Sequence, residues 1–381
     1  MSNRLSKLAI IGTRGYPSFY GGFETAVRKL APYLVDTGWD VTVYGRDGAV
    51  QTEDPNRDSR VRTKTTPGLE TKSLSTLTYG LTAVIDAVRD KPDAALIMNV
   101  ANGFWIPLLK IRGIPTVVNV DGIEWERAKW GRLAKTVFKL GAWFTAKFAT
   151  ALVADSKEIQ RRWKAEFGRD SHFIPYGGEM TGELPVPEGQ KHRGYILIVA
   201  RFVPENTVGE FFDAVETLAH EYPVVIVGST GYGGELDARA TYLAEHNNSV
   251  TWMGHVSDDQ KLHALWQHAG AYFHGHSVGG TNPALVQAMA CGAPIVARDT
   301  VYNREVLADT ASFVVADPEG IANALRQVME RSAGGSFDPS GLKNRAQEFY
   351  SWRGVCKDYD AALQEQLGAL TQASQDKVSR P

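Results

Sequence analysis

Short apolar segments alternate along the chain with longer segments in which apolar residues recur every three or four positions. The short segments are typical of buried β-strands, and the periodic segments are typical of amphipathic α-helices. In the first half, this pattern predicts strands at 8–13, 40–44, 94–100, 115–120, 151–154 and 172–174. In the second half, it predicts strands at 195–200, 223–228, 249–253, 269–273, 294–297 and 311–315. Because strands alternate with helices throughout, the predicted fold class is α/β, with doubly wound parallel sheets.

Residues 181–193 interrupt this alternation with prolines, glycines and no periodicity, which is typical of a linker between domains. A chain of 381 residues is also longer than one core usually supports. We therefore predict two tandem Rossmann-like domains, 1–180 and 194–350, whose sheets face a shared cleft. A helix at 351–370, expected to pack back on the first domain, and a tail at 371–381 complete the chain.

Composition narrows the class of protein. Hydrophobic residues make up 43% and charged residues 22% of the chain, as in soluble globular proteins. The net charge of −2 provides no field that would attract nucleic acid. Two cysteines, Cys291 and Cys356, are too few for a disulfide framework, and no histidine or cysteine spacing is typical of a metal site. No apolar stretch approaches the roughly 20 residues that span a bilayer. Because the cysteines are few, we expect a reducing, cytoplasmic setting, and because ligand spacing is missing, we expect no bound metal.

The stretch 271–297, AYFHGHSVGGTNPALVQAMACGAPIVA, predicts a strand, a Gly-rich polar loop, a helix and a second strand. Asn282 is the expected N-cap of that helix, and Pro283 is its expected first residue. The loop then lies at the carboxyl end of a parallel strand, where open α/β sheets bind ligands. The helix start favours an anion such as phosphate. An ordinary tight turn without a ligand is the alternative, since glycines alone are a weak signal.

Arg201 directly follows the strand predicted at 195–200, so it is expected at the same sheet edge as Gly279. A guanidinium there can hold a diphosphate with paired hydrogen bonds. A salt bridge between Arg201 and Glu205 explains the arginine equally well, because arginine pairs with carboxylate and phosphate alike.

The first domain offers two further candidates for ligand binding. Gly21 and Gly22 immediately precede a predicted helix, and glycines there let the backbone approach a ligand closely. Asp121 follows the strand at 115–120, which places its carboxylate to meet a substrate hydroxyl. The alternative for Asp121 is a turn-forming Asp-Gly pair.

The segment from Lys129 to Phe148, KWGRLAKTVFKLGAWFTAKF, combines basic and aromatic residues with no acidic residue. A basic helix with aromatic residues suits an anionic membrane surface. A helix half buried against its sheet, with lysines on the solvent side, explains the same pattern. Both interpretations remain open from the sequence.

Long stretches of the chain resemble the retaining glycosyltransferases of family 4, which have the GT-B fold. The stretches that carry this resemblance are GTRGYPSFYGGFET, NVDGIEWERAKWGRLAK, VADSKEIQ, IPYGGE, ARFVPEN and HGHSVGGTNPALVQAMACG. The resemblance extends over nearly the whole chain. Within the family, the chain is most similar to bacterial rhamnosyltransferases that build cell-surface polysaccharides.

This resemblance implies transfer of a sugar from a nucleotide sugar to a glycan or lipid-linked glycan, with retention of anomeric configuration and without metal or cofactor. The implied donor is dTDP-linked L-rhamnose, and the implied location is the cytoplasm or the inner face of the cell membrane. A UDP- or GDP-hexose is the alternative donor. A non-catalytic nucleotide-sugar-binding protein with a degenerate donor site is the alternative function.

The resemblance also assigns residues to roles. Arg201 and Asp121 take catalytic positions, with Arg201 on the donor diphosphate and Asp121 where the family has a histidine near the donor sugar. The donor-binding positions are Gly21, Gly22, Asn206, His276, Gly279, Gly280, Thr281, Asn282 and Gln287. Asn206 replaces a phosphate-binding lysine of the family. Gly279 and Gln287 replace the first and second glutamates of its E-x7-E motif, and the second glutamate holds the nucleotide ribose.

Overall fold

The computed structural model describes residues 5–19, 21–55, 57–70, 75–127 and 130–378. The chain forms two compact units. The first unit consists of Met1–Pro175 and Arg353–Pro381, and the second unit consists of Tyr176–Trp352.

Within the described ranges, the first unit contains one seven-stranded parallel sheet. Its strands are β1 (Ser6–Ile11), β2 (Trp39–Gly45), β3 (Arg62–Thr65), β4 (Ala94–Met98), β5 (Thr116–Asn119), β6 (Ala151–Ala154) and β7 (His172–Phe173). The helices between them are α1 (Gly22–Asp36), α2 (Ser75–Asp90), α3 (Ile106–Ile111), α4 (Arg132–Phe148) and α5 (Lys157–Phe167). The strand order is β3-β2-β1-β4-β5-β6-β7, so the chain starts near the centre of the sheet and winds outward in both directions.

The second unit has a six-stranded parallel sheet in the part of the chain that the structure describes. Its strands are β8 (Ile196–Val199), β9 (Val224–Val227), β10 (Val250–Trp252), β11 (Ala271–His274), β12 (Ile295–Arg298) and β13 (Ser312–Val314). Its helices are α6 (Val208–Leu218), α7 (Glu235–His246), α8 (Asp259–His268), α9 (Pro283–Cys291), α10 (Val301–Leu307), α11 (Pro318–Ala333) and α12 (Ser340–Phe349). The order β10-β9-β8-β11-β12-β13 is again doubly wound, and the α/β prediction of two parallel sheets is confirmed.

Both faces of the second sheet are covered by helices, as the near-continuous apolar strands require. On one face, Phe273 packs with Phe211 of α6 and with residues of α11. On the other face, Tyr272 packs with residues of α8 and α9. Successive residues of β11 therefore enter opposite cores, since side chains alternate along a strand.

Two segments differ from the sequence-based expectations. The predicted linker, 181–193, lies wholly within the second unit, where Gln267 on α8 holds it: the Leu184 amide donates to Gln267 Oε1 at 2.7 Å, and Gln267 Nε2 donates to the Gly182 carbonyl at 2.9 Å. Helix α10 is absent from the prediction because Val306 and Leu307 are its only buried hydrophobic residues, too few for a visible helical period.

The C-terminal helix α13 (Trp352–Val378) groups with the first unit from Arg353 onward. It bonds to two strands of the first sheet: Trp39 Nε1 donates to Asp360 Oδ1 at 2.8 Å, and Asn119 Nδ2 donates to the Tyr359 hydroxyl at 2.6 Å. The helix continues beyond residue 370 into the segment predicted as a tail. Among the described residues, no helix is both long and apolar enough to cross a membrane.

We expect Tyr359→Phe to destabilise the first unit by about 1–3 kcal/mol, because it leaves the buried Asn119 amide without its acceptor. Asn119 is 2% exposed and Tyr359 is 3% exposed, so water does not replace the lost bond. Urea denaturation measures the change. Tyr242→Phe is the matched control, since Tyr242 is 57% exposed. Equal midpoints for the two variants would contradict this account of α13.

Candidate functional site

The predicted donor loop lies at the carboxyl end of β11, between His274 and the start of α9. Asn282 caps α9 as the sequence predicts: its Oδ1 accepts from the Ala284 amide at 2.9 Å, and Pro283 is the first helical residue. Gly279 has a φ of 86°, which side chains with a Cβ rarely adopt. The first turn of α9 therefore presents its positive end at this sheet edge, an arrangement that favours an anion.

Arg201 lies just past the end of β8, with an exposed side chain. In the described part of the chain, its guanidinium makes no ion pair, and the salt bridge to Glu205 that the sequence left open is not formed. The donors of Arg201 are therefore available at the carboxyl edge of the second sheet.

Asn206 joins the loop after β8 to the loop after β11. Its Nδ2 donates to the Arg201 carbonyl at 2.8 Å, and its Oδ1 accepts from His276 Nδ1 at 2.6 Å. Because the side chain is buried and bonds on both sides, its structural role is to fix Arg201 and His276 relative to each other. A neutral amide supplies no positive charge at this position.

Thr207 is the residue of this edge that the sequence analysis missed. It has a φ of 55°, a costly conformation for a β-branched residue. Its hydroxyl donates to the Gly275 carbonyl at 2.6 Å and accepts from Arg298 Nη1 at 2.9 Å. Gly275 permits this approach, because a Cβ there would lie 2.3 Å from the Asn206 carbonyl oxygen. These contacts tie the ends of β8, β11 and β12 together.

Two buried groups lie beside this junction. The Glu205 carbonyl accepts from both the amide and the hydroxyl of Ser277, each at 2.9 Å, while the oxygens of its buried carboxylate have no partner among the described residues. His274 Nδ1 lies 3.0 Å from the Tyr272 hydroxyl, and burial lowers the pKa of His274 to about 3. His274 is therefore neutral at physiological pH.

Gln287 lies on α9 and is 9% exposed. Its Oε1 accepts from the Glu179 amide at 2.8 Å, and its Nε2 donates to the Glu179 carbonyl at 2.9 Å. The side-chain amide of Gln287 thus forms hydrogen bonds with both the backbone amide and the backbone carbonyl of Glu179. The structure brings the side chains of Asn206 and His276 together, whereas the side chain of Gln287 is bonded to Glu179.

The first-unit candidates lie at the carboxyl edge of their own sheet. Gly22 begins α1 and Gly21 is its N-cap, with an extended backbone that any residue can adopt. The buried Glu24 of the first turn accepts from the Arg14 amide at 3.0 Å. The loop after β1 is therefore held against the start of α1.

Asp121 follows β5 and has a φ of 58°, which aspartate tolerates better than most residues. Its amide donates to Asn119 Oδ1 at 2.9 Å, and Asn119 is the residue that bonds to Tyr359 of α13. The backbone of Asp121 is fixed in this way, and its half-buried carboxylate remains at the sheet edge. The turn-forming role and a role in binding a hydroxyl are compatible in this geometry.

Comparisons with family models divide the chain in the same way as the fold. A model described as Glycosyl transferases group 1 matches residues 193–331. A model described as a domain of unknown function (DUF1972) matches residues 5–179. The residues of the second-unit site, from Arg201 to Arg298, lie within the first of these matches.

A phosphatidyl-myo-inositol mannosyltransferase of Mycolicibacterium smegmatis is 31% identical to the chain over 185 residues. The match spans 45% of this chain and 47% of the relative, so the chain covers about half of that relative's length.

Among solved structures, sucrose-phosphate synthase from Thermosynechococcus elongatus superposes with a TM-score of 0.77 at 18% identity, over 96% of this chain and 100% of that one. HepE of Anabaena, solved in complex with UDP-glucose, superposes with a TM-score of 0.73 at 17% identity, over 94% of this chain and 100% of that one. At these identities the likeness concerns the fold. Residues 193–331 thus match the model of the glycosyl transferases group 1 family, and the chain's two parallel-sheet domains have the GT-B fold of these solved structures.

Proposed function

We propose that the protein is a retaining, metal-independent glycosyltransferase that transfers L-rhamnose from dTDP-rhamnose to a glycan or lipid-linked glycan. The observation that supports sugar transfer is made at the carboxyl edge of the second sheet. There, Arg201 and the capped start of α9 lie on either side of the buried hydrogen bond between Asn206 and His276. This edge lies in the part of the chain that matches glycosyl transferases. The rhamnosyl assignment rests on the sequence resemblance.

In the proposed reaction, the bond between the anomeric carbon and the donor phosphate breaks, and the acceptor oxygen bonds to that carbon on the same face. The departing diphosphate takes the acceptor proton. Arg201 and the positive end of α9 stabilise the negative charge that develops on the leaving group. Asp121 accepts a hydrogen bond from a sugar hydroxyl. No side chain serves as a covalent nucleophile in this scheme.

The relative and the solved structure named above favour a donor other than dTDP-rhamnose. The mycobacterial relative is a mannosyltransferase, and HepE was solved with UDP-glucose. Thermal shift with dTDP-rhamnose, GDP-mannose and UDP-glucose separates these donors, because a bound ligand raises the unfolding midpoint. Transfer assays on the donor that binds then test the reaction. If GDP-mannose alone stabilises the protein, the donor sugar is mannose and not rhamnose.

A non-catalytic nucleotide-sugar-binding protein is the second candidate function. Gln287 and Asn206 favour it, since both are neutral amides whose polar groups are bonded within the protein. A binding protein would bind the donor without hydrolysing it and without transferring the sugar to any acceptor. Release of free nucleoside diphosphate therefore separates the two functions.

We expect Arg201→Ala to lower kcat/KM roughly 30- to 900-fold, which corresponds to about 2–4 kcal/mol of lost transition-state stabilisation. The reason is that Asn206 cannot supply a replacement charge. Arg326→Ala is the matched control, because Arg326 pairs with Glu221 on the surface of the same unit. Turnover of Arg201→Ala within threefold of wild type would remove Arg201 from the mechanism.

We expect dTDP to bind at least as tightly as UDP. With both amide groups of Gln287 bonded to Glu179, the residue contributes little to a ribose 2′-hydroxyl. Calorimetric titration of both nucleotides measures the difference. Tenfold tighter binding of UDP, about 1.4 kcal/mol, would contradict the deoxyribose preference.

Gln287→Glu provides a second readout for the same residue. A carboxylate still accepts from the Glu179 amide, but it faces the Glu179 carbonyl without a proton to donate. We expect a lower unfolding midpoint together with a shift of preference towards UDP. An unchanged midpoint would contradict the pairing of Gln287 with Glu179.

The surface of α4 supports the membrane interpretation of its sequence. Small residues, Gly141, Ala142 and Thr145, face the protein. Some of the larger apolar residues are exposed, since Leu133 is 80% exposed and Trp143 is 45% exposed, while the phenylalanines Phe138, Phe144 and Phe148 are half-buried. Packing against the protein accounts for the phenylalanines but not for Leu133 and Trp143. Lys129, the first residue of the predicted segment, lies outside the described residues.

We therefore propose that α4 rests on anionic membrane that contains a lipid-linked acceptor. Lysines add about 1 kcal/mol each near such a surface, and Lys147 Nζ lies 4.7 Å from the Trp143 ring centroid, so charge and apolar contact are adjacent. We expect co-sedimentation with vesicles of phosphatidylglycerol and phosphatidylcholine, and loss of binding in Lys135→Glu/Lys147→Glu. Lys261→Glu, an exposed change on α8, is the control. Equal binding to the anionic vesicles and to vesicles of phosphatidylcholine alone would show that α4 has no such role and serves packing.

A further inference from the structure

A small cavity lies where three strands of the first sheet end. Arg46 directly follows β2, Thr66 directly follows β3, and Gly12 directly follows β1. Together with Thr76 and Tyr79 of α2, these residues line a small pocket that opens to solvent and has room for about one water-sized group, such as a single oxygen of an oxyanion. We refer to it as the strand-end pocket. The carboxyl ends of parallel strands are where α/β sheets bind ligands, and no role considered above uses this part of the edge.

Arg46 is a buried cation with incomplete compensation. The residue is 8% exposed, and its Nε has no hydrogen-bond partner among the described residues. In the same ranges, its Nη1 forms an ion pair with Glu70 Oε1 at 3.4 Å, and the Glu70 side chain is 60% exposed. The buried carboxylate of Glu24 also acts on the Arg46 charge. An exposed carboxylate offsets only part of the cost of burying a guanidinium. The Tyr79 ring, 5.0 Å from the guanidinium carbon, orients the charge without satisfying its donors.

Thr66 provides a second unsatisfied group in the same pocket. It is 8% exposed, and its hydroxyl has no partner within the described ranges. Buried polar groups in folded proteins are nearly always hydrogen-bonded, so an exception requires an explanation. Two such exceptions that line one cavity point to a ligand with hydrogen-bond acceptors.

The charge around the pocket selects the class of ligand. Burial lowers the pKa of the Arg46 guanidinium and repulsion from Arg14 lowers it further, while the carboxylates of Glu70 and Glu24 raise it. An arginine remains charged at neutral pH. A guanidinium binds planar carboxylates and phosphates through paired hydrogen bonds. The hydroxyl of Thr66 can donate to the same group. A cation in this pocket would be repelled, and a neutral sugar would leave the guanidinium charge uncompensated.

We propose that the strand-end pocket binds an oxyanion, a carboxylate or phosphate group carried by the acceptor substrate. The ligand's role as the acceptor rests on the proposed function. The binding of an oxyanion does not, because it follows from Arg46 and Thr66. The acceptor is then an acidic glycan or a phosphorylated one. The pocket lies in the unit that does not carry Arg201, so the two anion sites are separable by mutation.

Isothermal titration calorimetry with inorganic phosphate tests the anion site on the full-length chain. We expect Arg46→Gln to weaken phosphate binding at this site at least tenfold, while Arg201→Ala retains it. Arg62→Gln is the matched control, because Arg62 is an exposed arginine on β3 that pairs with Asp40. Glucuronate, glucose 6-phosphate and neutral glucose then separate a carboxylate from a phosphate source. Phosphate binding that survives Arg46→Gln and disappears in Arg201→Ala would overturn the proposal without touching the proposed transferase activity.

Thr66→Val distinguishes a ligand site from a merely structural one. Replacing a buried hydroxyl that has no partner with a methyl group costs the free protein nothing in hydrogen bonding. We therefore expect an unfolding midpoint at or above that of wild type without phosphate, and phosphate binding at least threefold weaker. A lower midpoint with unchanged phosphate affinity would show that the hydroxyl serves the fold, and the proposal would fail even if Arg46→Gln proved unstable.

Discussion

The hydroxyl of Thr207 holds the second-unit site together. It lies between the carbonyl of Gly275 and the guanidinium of Arg298, and so connects the ends of three adjacent strands. The backbone of Thr207 is in a conformation that costs on the order of 1–3 kcal/mol, and the surrounding bonds keep it there. From this point the chain turns into α6 on one side and leads back to Asn206 and Arg201 on the other. The place of Asn206, and through it the placement of Arg201 and His276, depends on that turn.

Two positions of the site carry a neutral amide whose donor and acceptor are both used within the protein. An amide has both a donor and an acceptor, so it can bind two groups of opposite polarity. Asn206 uses this to join two loops, and Gln287 uses it to hold one residue of the main chain by its amide and its carbonyl. These bonds make the frame of the site rigid, but neither amide adds a positive charge to it. In the proposed reaction, stabilisation of the leaving diphosphate therefore depends on Arg201 and on the start of α9.

Local chemistry made much of this structure predictable from the sequence. The alternation of strands and helices, the Asn282 cap and the positions of Arg201 and Asp121 at strand ends all follow from neighbouring residues. The partners of Asn206 and Gln287 do not, because His276 is 70 residues from Asn206 and Glu179 is 108 residues from Gln287. Arg46 went unnoticed for the same reason. An arginine after a strand is ordinary, and only the fold shows that it is buried beside an unsatisfied threonine.

The place of α13 has a consequence for the synthesis of the chain. The first unit is built from both ends of the sequence, so the chain leaves it after Pro175 and returns to it at Arg353. A ribosome makes the whole second unit before it makes the residues that bond to Trp39 and Asn119. The second unit is continuous and has all its own strands by then, so it can fold first, although it comes later in the chain. The usual N-to-C order of domain folding therefore cannot hold for the final step, because the first unit receives its C-terminal helix only after the second unit has been made.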